Sequence, residues 1–307
     1  MGRILVIRGG ALGDFILTLP ALAALRTQFP NARVEVLGYP HIARLALLGG
    51  VAHAVHPIEA RPLAQFFARG GALDPAVAAF FSGFAVIVSY LYDPDGVFQE
   101  NVARCTRAQF LVGPHRPDES ACIHAADTFL SPLQRLAIFD ADATPRIDAD
   151  PTSPGPGRWI AVHPGSGSES KNWPERRWAG LLAAAIEHSD RNLVLLGGEA
   201  EGDRLQRLAG ELPSRRVHVA RSLPLDAVAS LLRACELFIG HDSGITHLAA
   251  AVGLPCIALW GPSNPTLWRP RGSHITLVQD DAGLPGLEFS AVWEILRPRL
   301  TVQPTPP

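Results

Sequence analysis

The sequence predicts an α/β protein with two domains, each built around a doubly wound parallel sheet. Short apolar runs alternate with amphipathic stretches along the chain, which is the pattern of repeated strand-helix-strand units. A proline-rich break at Asp150–Gly157 divides this alternation into two series. The length of 307 residues suits two domains, and a composition with 47% hydrophobic and 18% charged residues suits strands that are buried on both faces.

The first series begins with a strand at Arg3–Arg8, followed by a glycine turn and a helix from Asp14. Apolar residues recur in this helix at three- and four-residue steps, at Phe15, Leu19, Leu22 and Leu25. A second strand follows at Arg33–Leu37, at a separation typical of a parallel crossover. Further strands of this series are predicted at Val55–Ile58, Phe84–Tyr90 and Gln109–Val112, with a helical stretch over Asp118–Phe139.

The second series repeats the alternation. Its strands are predicted at Trp159–His163, Leu193–Leu196, Val217–Val219, Leu237–Gly240 and Cys256–Trp260. Its helices are predicted at Glu175–His188, Arg204–Leu212, Leu225–Ala234 and Gly244–Val252. The predicted organisation is therefore a first domain over 1–150, a linker over 151–157, a second domain over 158–288, and a last segment over 289–307. That segment contains an amphipathic helix, which we expect to cross back onto the first domain, and a tail.

Charge, cysteine content and hydropathy exclude several classes of protein. The formal net charge of −2 gives no basic footprint for nucleic acid. The four cysteines form no Cys-x-x-Cys pair, so neither a metal site nor a disulfide framework is expected. The uncharged stretch Ala76–Tyr92 is broken at Ser82-Gly83 and predicts a helix, a turn and a strand rather than a membrane span. With no signal peptide pattern, we expect a cytoplasmic protein.

The first candidate functional loop is Gly9–Asp14. It lacks the glycine at position 8 that a dinucleotide fingerprint requires, because Arg8 stands there. A phosphate-binding P-loop would require lysine after Gly13, where this chain has Asp14. Asp14 is suited either to accept a proton in a cleft or to cap the helix, and spacing alone leaves both roles open.

The second candidate loop runs from His163 to Pro174. Its glycines and serines leave backbone N–H groups available, and the following helix adds the positive end of its dipole. Lys171 supplies a full positive charge. Together these features predict an anion site suited to a diphosphate, and the alternative is a solvated loop with one exposed lysine.

The third candidate segment is Gly240–His247, where a strand ends, small polar residues follow and an apolar helix begins. Asp242 or Ser243 is expected to cap that helix, and the backbone N–H groups of Ser243–Thr246 are expected to hold phosphate. His247 is either a structural residue or part of the site.

A weaker candidate is the pair of acids after the strand Leu193–Leu196. Glu199 or Glu201 is placed to accept hydrogen bonds from ribose hydroxyls, and the alternative is an exposed acid at a helix start.

Together these loops resemble glycosyltransferase family 9, the ADP-heptose:lipopolysaccharide heptosyltransferases. The segments that carry the resemblance are Ile4–Leu25 with its Leu12-Gly13-Asp14 motif, His163–Ser166, Lys171–Pro174, Asp242–Ala251 and Ala258–Ser263. The resemblance implies a GT-B fold, in which two Rossmann-like domains face a cleft. The first domain would hold the acceptor and the second the nucleotide-sugar.

The resemblance also implies site residues. Asp14 matches the family's general base, on an acceptor-side loop with Gly10 and Gly13, and Lys171 matches its phosphate-contacting lysine. The predicted donor-binding residues are Ser166, Lys171, Asp242, Ser243, Gly244 and Thr246. Glu199 is added because it follows a strand, and His247 because it lies near polar residues in the first turns of a helix. The implied reaction is inverting transfer of a sugar, expected to be heptose, without metal or cofactor. Its partners would be an ADP-sugar donor and a lipopolysaccharide-core or related glycan or glycolipid acceptor, through which the protein would contact the inner face of the membrane.

Two other functions remain open at this level. An NAD(P)-dependent oxidoreductase is one, because Glu35 lies 22 residues after Gly13, near the position of a ribose-binding acid. A non-catalytic protein that binds nucleotide-sugars is the other.

Overall fold

The computed structural model describes residues 2–166 and 171–301, with the side chain of residue 200 left aside. The chain divides into two compact units, Met1–Asp148 and Ala149–Pro307. No helix or strand occurs over residues 138–158, which include the predicted linker.

The first unit contains a five-stranded parallel sheet with the order β3-β2-β1-β4-β5. Its strands are β1 Arg3–Arg8, β2 Arg33–Gly38, β3 Ala54–Pro57, β4 Val86–Ser89 and β5 Gln109–Val112. Its helices are α1 Leu12–Gln28, α2 Pro40–Ala43, α3 Leu45–Leu48, α4 Pro75–Ser82, α5 Val97–Ala103 and α6 Ala125–Leu130, with 3₁₀ turns at Arg61–Phe67 and Ser131–Leu136.

The second unit contains a six-stranded parallel sheet with the order β11-β10-β9-β6-β7-β8. Its strands are β6 Trp159–His163, β7 Asn192–Gly197, β8 Val217–Arg221, β9 Leu237–His241, β10 Cys256–Leu259 and β11 Ile275–Val278. Its helices are α7 Glu175–Glu187, α8 Arg204–Gly210, α9 Leu225–Arg233, α10 Gly244–Ala251, α11 Pro265–Trp268 and α12 Phe289–Thr301, with 3₁₀ turns at Glu199–Glu201 and Ser214–Arg216.

Each sheet has one point at which the strand order reverses. In the first unit it lies between β1 and β4, and in the second between β6 and β9. Doubly wound sheets bind ligands outside the carboxyl ends of their strands at this point. The loops after β1, β6 and β9, which the sequence singles out, therefore lie where such a fold places a site.

Each unit has its own hydrophobic core. The first is built around Leu5 and Ile7 of β1 with Phe66, Phe81 and Phe98. The second packs Trp173 and Trp178, with leucines of α7 and α8, against β6, β7 and β9. Central strands such as β6 and β9 are buried along their whole length, because helices cover both faces of a parallel sheet.

The predicted doubly wound parallel sheets are confirmed, with local differences. Helix α1 begins at Leu12, two residues earlier than predicted. The predicted helical stretch Asp118–Phe139 is wrong over its first part, where helix α6 begins only at Ala125. Helix α12 packs on α7 and buries Leu296 in the core of its own unit. Its predicted crossing to the first domain stays a prediction.

The uncharged stretch Ala76–Tyr92 forms all of α4 except its first residue, then a turn and β4, so the predicted helix, turn and strand are confirmed. Across the described residues, no helix combines the length and the apolar character that a bilayer crossing demands.

Candidate active site

The loops after β6 and β9 bring Lys171 and Asp242 together. The Lys171 Nζ atom donates a hydrogen bond of 2.6 Å to Asp242 Oδ2, and the Asp242 side chain is only 9% exposed. The Lys171 ammonium carries three N–H donors, so the ion pair leaves others for a ligand. Two distant segments of the sequence thus form one charged centre at the carboxyl ends of neighbouring strands.

Lys171 is the single lysine of the chain; the 27 basic residues less this one are 26 arginines. Elsewhere this protein therefore uses arginine for its positive side chains. Lysine differs by presenting a compact charge on a flexible stem rather than a planar fork.

The start of helix α10 forms a second polar feature of this edge. Ser243 is the N-cap, and its Oγ atom accepts a hydrogen bond of 3.4 Å from the Thr246 N–H. The Thr246 hydroxyl in turn donates to the carbonyl of His241. Ser243, rather than Asp242, therefore caps the helix, and the N–H groups of the first turn, from Gly244, gather at one end of the helix dipole.

His241, the last residue of β9, contacts the loop after β6 through both of its ring nitrogens. Its Nε2 atom accepts a hydrogen bond of 2.9 Å from the Trp173 backbone N–H, and its Nδ1 atom lies 3.3 Å from the Gly165 carbonyl. Burial lowers the pKa of His241 to about 3, so the ring is neutral at ordinary pH. A neutral ring with hydrogen on Nδ1 satisfies both contacts, because one nitrogen then accepts and the other donates.

A second buried histidine lies at the end of β6. His163 Nε2 lies 3.5 Å from Glu201 Oε1, and its Nδ1 lies 3.4 Å from Ser243 Oγ. Burial lowers the pKa of His163, and the charge of Glu201 opposes this shift. Glu201 also accepts a hydrogen bond from the Gly198 N–H. A series of polar contacts through the buried side chains of Glu201 and His163 thus reaches Ser243, the N-cap of α10.

Ser166 and the predicted ribose-binding acids occupy different surroundings. The Ser166 hydroxyl donates to Asn172 Oδ1 at 2.9 Å. Residues 167–170, which contribute to the predicted backbone anion site, lie outside the described residues. Glu201 is buried and engaged with His163, whereas Glu199 is exposed after β7. His247 is buried within α10.

In the first unit, Asp14 lies in the first turn of α1 rather than at its cap. Ala11 occupies the N-cap position, so the helix-cap interpretation of Asp14 is wrong. Gly10 has a φ of +100°, and a Cβ atom there would lie 3.2 Å from Asp14 Oδ2. Gly13 is the second residue of the helix. Arg8, the last residue of β1, brings its Nη2 atom to 3.8 Å from Asp14 Oδ1.

The structure removes the basis of the oxidoreductase alternative. Glu35 lies inside β2, where Arg3 donates two hydrogen bonds of 2.9 Å to its carboxylate and His56 contacts it at 2.7 Å. A ribose-binding acid would lie at the carboxyl end of its strand. Glu35 is instead a buried structural ion pair.

Comparison with known proteins shows the class of protein. The family model of glycosyltransferase family 9 (heptosyltransferase) matches residues 134–287, which is half of the chain. The chain therefore belongs to glycosyltransferase family 9 and is a glycosyltransferase.

Similarity to known relatives and solved structures extends over nearly the whole length of the chain. Lipopolysaccharide heptosyltransferase 1 of Pseudomonas aeruginosa is 24% identical over 95% of this chain and 88% of its own. The family 9 glycosyl transferase of Veillonella parvula has a TM-score of 0.76 at 18% identity, with 97% of both chains covered. The E. coli heptosyltransferase WaaC with ADP has a TM-score of 0.74 at 19% identity, covering 96% and 99%. These likenesses confirm the predicted GT-B type of fold.

Sequence reasoning gave His163, His241 and Arg8 no role of their own in these sites, and it named Glu201 only as a candidate for binding ribose. His163, His241 and Arg8 each end a buried strand, and Glu201 closes the network behind His163. A polar residue at the end of an otherwise apolar strand was the available signal. Within residues 2–166 and 171–301, no three His, Cys, Asp or Glu side chains group as a metal site would require.

Proposed function

We propose that this protein transfers heptose from ADP-heptose to a lipopolysaccharide-core or related glycan acceptor, with inversion at the anomeric carbon and without a metal ion. The observation that carries the proposal is the Lys171–Asp242 pair beside the N-terminus of α10, at the switch point of the second sheet. The choice of acceptor is supported by the lipopolysaccharide heptosyltransferases among the relatives. The choice of donor is supported by two structures of E. coli heptosyltransferase WaaC, one with ADP and one with ADP-2-deoxy-2-fluoro heptose.

The second unit would hold the donor. Lys171 and the N–H groups at Ser243–Thr246 would bind the diphosphate, and Asp242 would accept hydrogen bonds from the sugar hydroxyls. When the bond between the anomeric carbon and the diphosphate oxygen breaks, negative charge grows on that oxygen. Lysine and helix N–H groups that are already in position stabilise this charge. Ser166, Glu199 and His247 complete the proposed donor site.

The first unit would supply the base. Asp14 would take the proton from an acceptor hydroxyl as that oxygen attacks the anomeric carbon. The carbon passes through an oxocarbenium-like state. Attack from the face opposite the departing ADP gives inversion. A glycolipid acceptor would bring the protein to the inner face of the membrane from the cytoplasm.

The single lysine allows a direct test of the donor site. Reductive methylation with ¹³C-formaldehyde labels Lys171 and the terminal amine, so NMR shows one lysine signal. We expect ADP-heptose to shift this signal and to raise the Tm, and UDP- and GDP-sugars to do neither. Lys171→Ala should lose most of the Tm increase, and Lys171→Arg should recover little of it, because a planar guanidinium cannot occupy the same position beside Asp242.

Arg221→Lys, a substitution at an exposed position at the end of β8, provides the labelling control, because its new lysine signal should not respond to ADP-heptose. A Lys171 signal that no nucleotide-sugar shifts would contradict the donor site. Donor binding without transfer to any glycan acceptor would favour the non-catalytic alternative.

A further inference from the structure

A cavity of about 460 Å³ opens beside the first sheet, at the carboxyl ends of β1 and β4. This volume lies in the range of small-molecule sites, roughly 300–1,000 Å³. Asp14 lines it, together with Arg8, Tyr39, Tyr92 and His115. The cavity therefore contains the proposed base and has room for a sugar.

Arg8 is the unusual member of this lining. Its side chain is 2% exposed, and its Nη1 atom donates to the carbonyl of His115 at 2.9 Å. Its Nε and Nη2 atoms have no hydrogen-bond partner among the described residues. The 3.8 Å between Nη2 and Asp14 Oδ1 is too long for a hydrogen bond. A buried donor without a partner is costly, and more so on a charged group.

The guanidinium is held in place despite these free donors. Its carbon lies 4.4 Å from the centre of the Phe129 ring and 5.8 Å from that of Tyr90, so aromatic faces support the cation. Burial lowers the pKa of Arg8, and Asp14 opposes this shift. Arginine nevertheless stays protonated in proteins. The chain therefore holds a fixed positive charge, with two unused donors, next to the residue proposed as base.

We propose that this cavity binds the acceptor through an anionic group, a carboxylate or a phosphate, which Arg8 holds with Nε and Nη2. The inference rests on the proposed function, since it treats the ligand of this cavity as the acceptor. Nε and Nη2 point the same way from the guanidinium, and such a pair of donors matches two oxygens of one anion. The hydroxyl that reacts would lie close to this anion, because Asp14 lies 3.8 Å from Arg8.

The remaining lining fits a sugar that carries such a group. Tyr39 and Tyr92 are 37% and 69% exposed, and His115 lies against the Tyr92 ring with centroids 4.7 Å apart. Exposed aromatic rings offer apolar faces to the C–H groups of a sugar ring. Two other charged residues line the cavity, Glu59 and Arg116, both exposed and of opposite sign. Neither replaces the buried charge of Arg8.

The test uses the full-length protein saturated with ADP, so that a phosphate cannot enter the donor site. The Kd of inorganic phosphate is measured by calorimetry at constant ionic strength, with sodium chloride as reference. We expect binding that Arg8→Lys weakens by about tenfold, because lysine cannot present two parallel donors. Arg116→Lys, at an exposed arginine of the same cavity, should change the Kd by less than about twofold.

A second variant covers the case in which Arg8→Lys does not fold. Asp14→Asn removes a negative charge beside the guanidinium and should tighten phosphate binding by about threefold or more. Unchanged phosphate binding in both Arg8→Lys and Asp14→Asn, or no phosphate binding by the parent protein, would overturn the proposal.

Further ligands identify the anion. Glucuronate and glucose 6-phosphate replace inorganic phosphate, with glucose as the neutral control. The acid that binds more tightly, and whose binding Arg8→Lys weakens, indicates whether the acceptor carries a carboxylate or a phosphate. Glucose binding as tightly as both would overturn the proposal. Repeating the phosphate titration on Lys171→Ala without ADP separates this inference from the donor site. Phosphate should still bind to the cavity beside Arg8 in this variant, even if ADP-heptose does not bind to the second unit.

Discussion

The two units share a strand order around their switch points but satisfy their polar groups there to different degrees. In the second unit, Lys171 pairs with Asp242, and His241 uses both ring nitrogens within the protein. In the first unit, Arg8 keeps two donors without a hydrogen-bond partner among the described residues. The difference indicates that the polar groups of the proposed donor site are paired within the protein, whereas the proposed acceptor site would need its ligand to complete the hydrogen bonding of Arg8.

The largest effect that would sharpen this comparison is expected at Asp14. Asp14→Asn keeps the shape of the side chain and removes its basicity, so transfer should fall by about 10²- to 10⁴-fold. ADP-heptose affinity should be unchanged, because the donor is proposed to bind the second unit. Steady-state transfer and calorimetric ADP-heptose binding measure the two quantities.

Glu59→Gln is the matched control, because Glu59 is the other carboxylate of the cavity and is exposed. Its transfer rate should remain within about threefold of the parent, as for an exposed charge. A fall equal to that of Asp14→Asn would show that the negative charge of the cavity matters, rather than a base at position 14.

An intermediate effect is expected from lowering the pH, which should reduce the stability of the second unit before that of the first. The pKa of His241 is about 3 in the folded protein and near 6.5 when unfolded. Its stabilising contribution is therefore complete above pH 6.5 and is lost as the pH falls towards 3, by about 1.4 kcal/mol per pH unit. The buried His163 acts in the same direction.

The first unit responds at lower pH. Burial raises the pKa of Glu35, but hydrogen bonds from Arg3 and His56 outweigh this and lower it to about 2. Its contribution is present above the ordinary value of 4.5 and is lost only between 4.5 and 2. Hydrogen exchange of the whole chain between pH 7 and 5 should thus show protection falling in β6 and β9 but not in β1 and β2. Equal loss in both sheets would break the comparison.

The smallest effect is expected at Glu199. Glu199→Ala should raise the Kd of ADP by about threefold to tenfold, the net value of one ordinary hydrogen bond, because Glu199 is exposed to solvent. Glu211→Ala, at another exposed acid of this unit, should leave it unchanged. If both variants bind ADP as the parent does, Glu199 does not contact ribose.

The sheets were predictable, and so was the position of the candidate site residues in loops after strands, because both depend on local pattern. Buried parallel strands read as apolar runs, and residues that follow them meet at one edge of the sheet. This reasoning assigned Lys171 and Asp242 to one donor site, although 71 residues separate them, but it did not predict their ion pair. The strand β11, Ile275–Val278, was not predicted. In the wrongly predicted helix, Asp118 instead accepts hydrogen bonds from Ser120 in a turn.

Contacts that depend on the assembled fold were beyond sequence reasoning. The hydrogen bond between Trp173 and His241 joins residues 68 apart, and no periodicity marks it. The incomplete hydrogen bonding of Arg8 is visible only once β4, the His115 loop and α6 surround it. The sequence pattern predicted the candidate loops after β1, β6 and β9. The packing of the folded protein determines which polar groups of these loops form hydrogen bonds or ion pairs.

The separate cores of the two units have a consequence for recombination. Each sheet closes its own apolar interior, and no helix or strand occupies residues 149–157, between the end of the first unit and β6. A chimera joined there would interrupt neither sheet. First units from other members of the family could therefore be grafted onto residues 158–301. If the proposed division of donor and acceptor holds, the resulting enzymes would share one donor specificity and differ in the glycan they elongate.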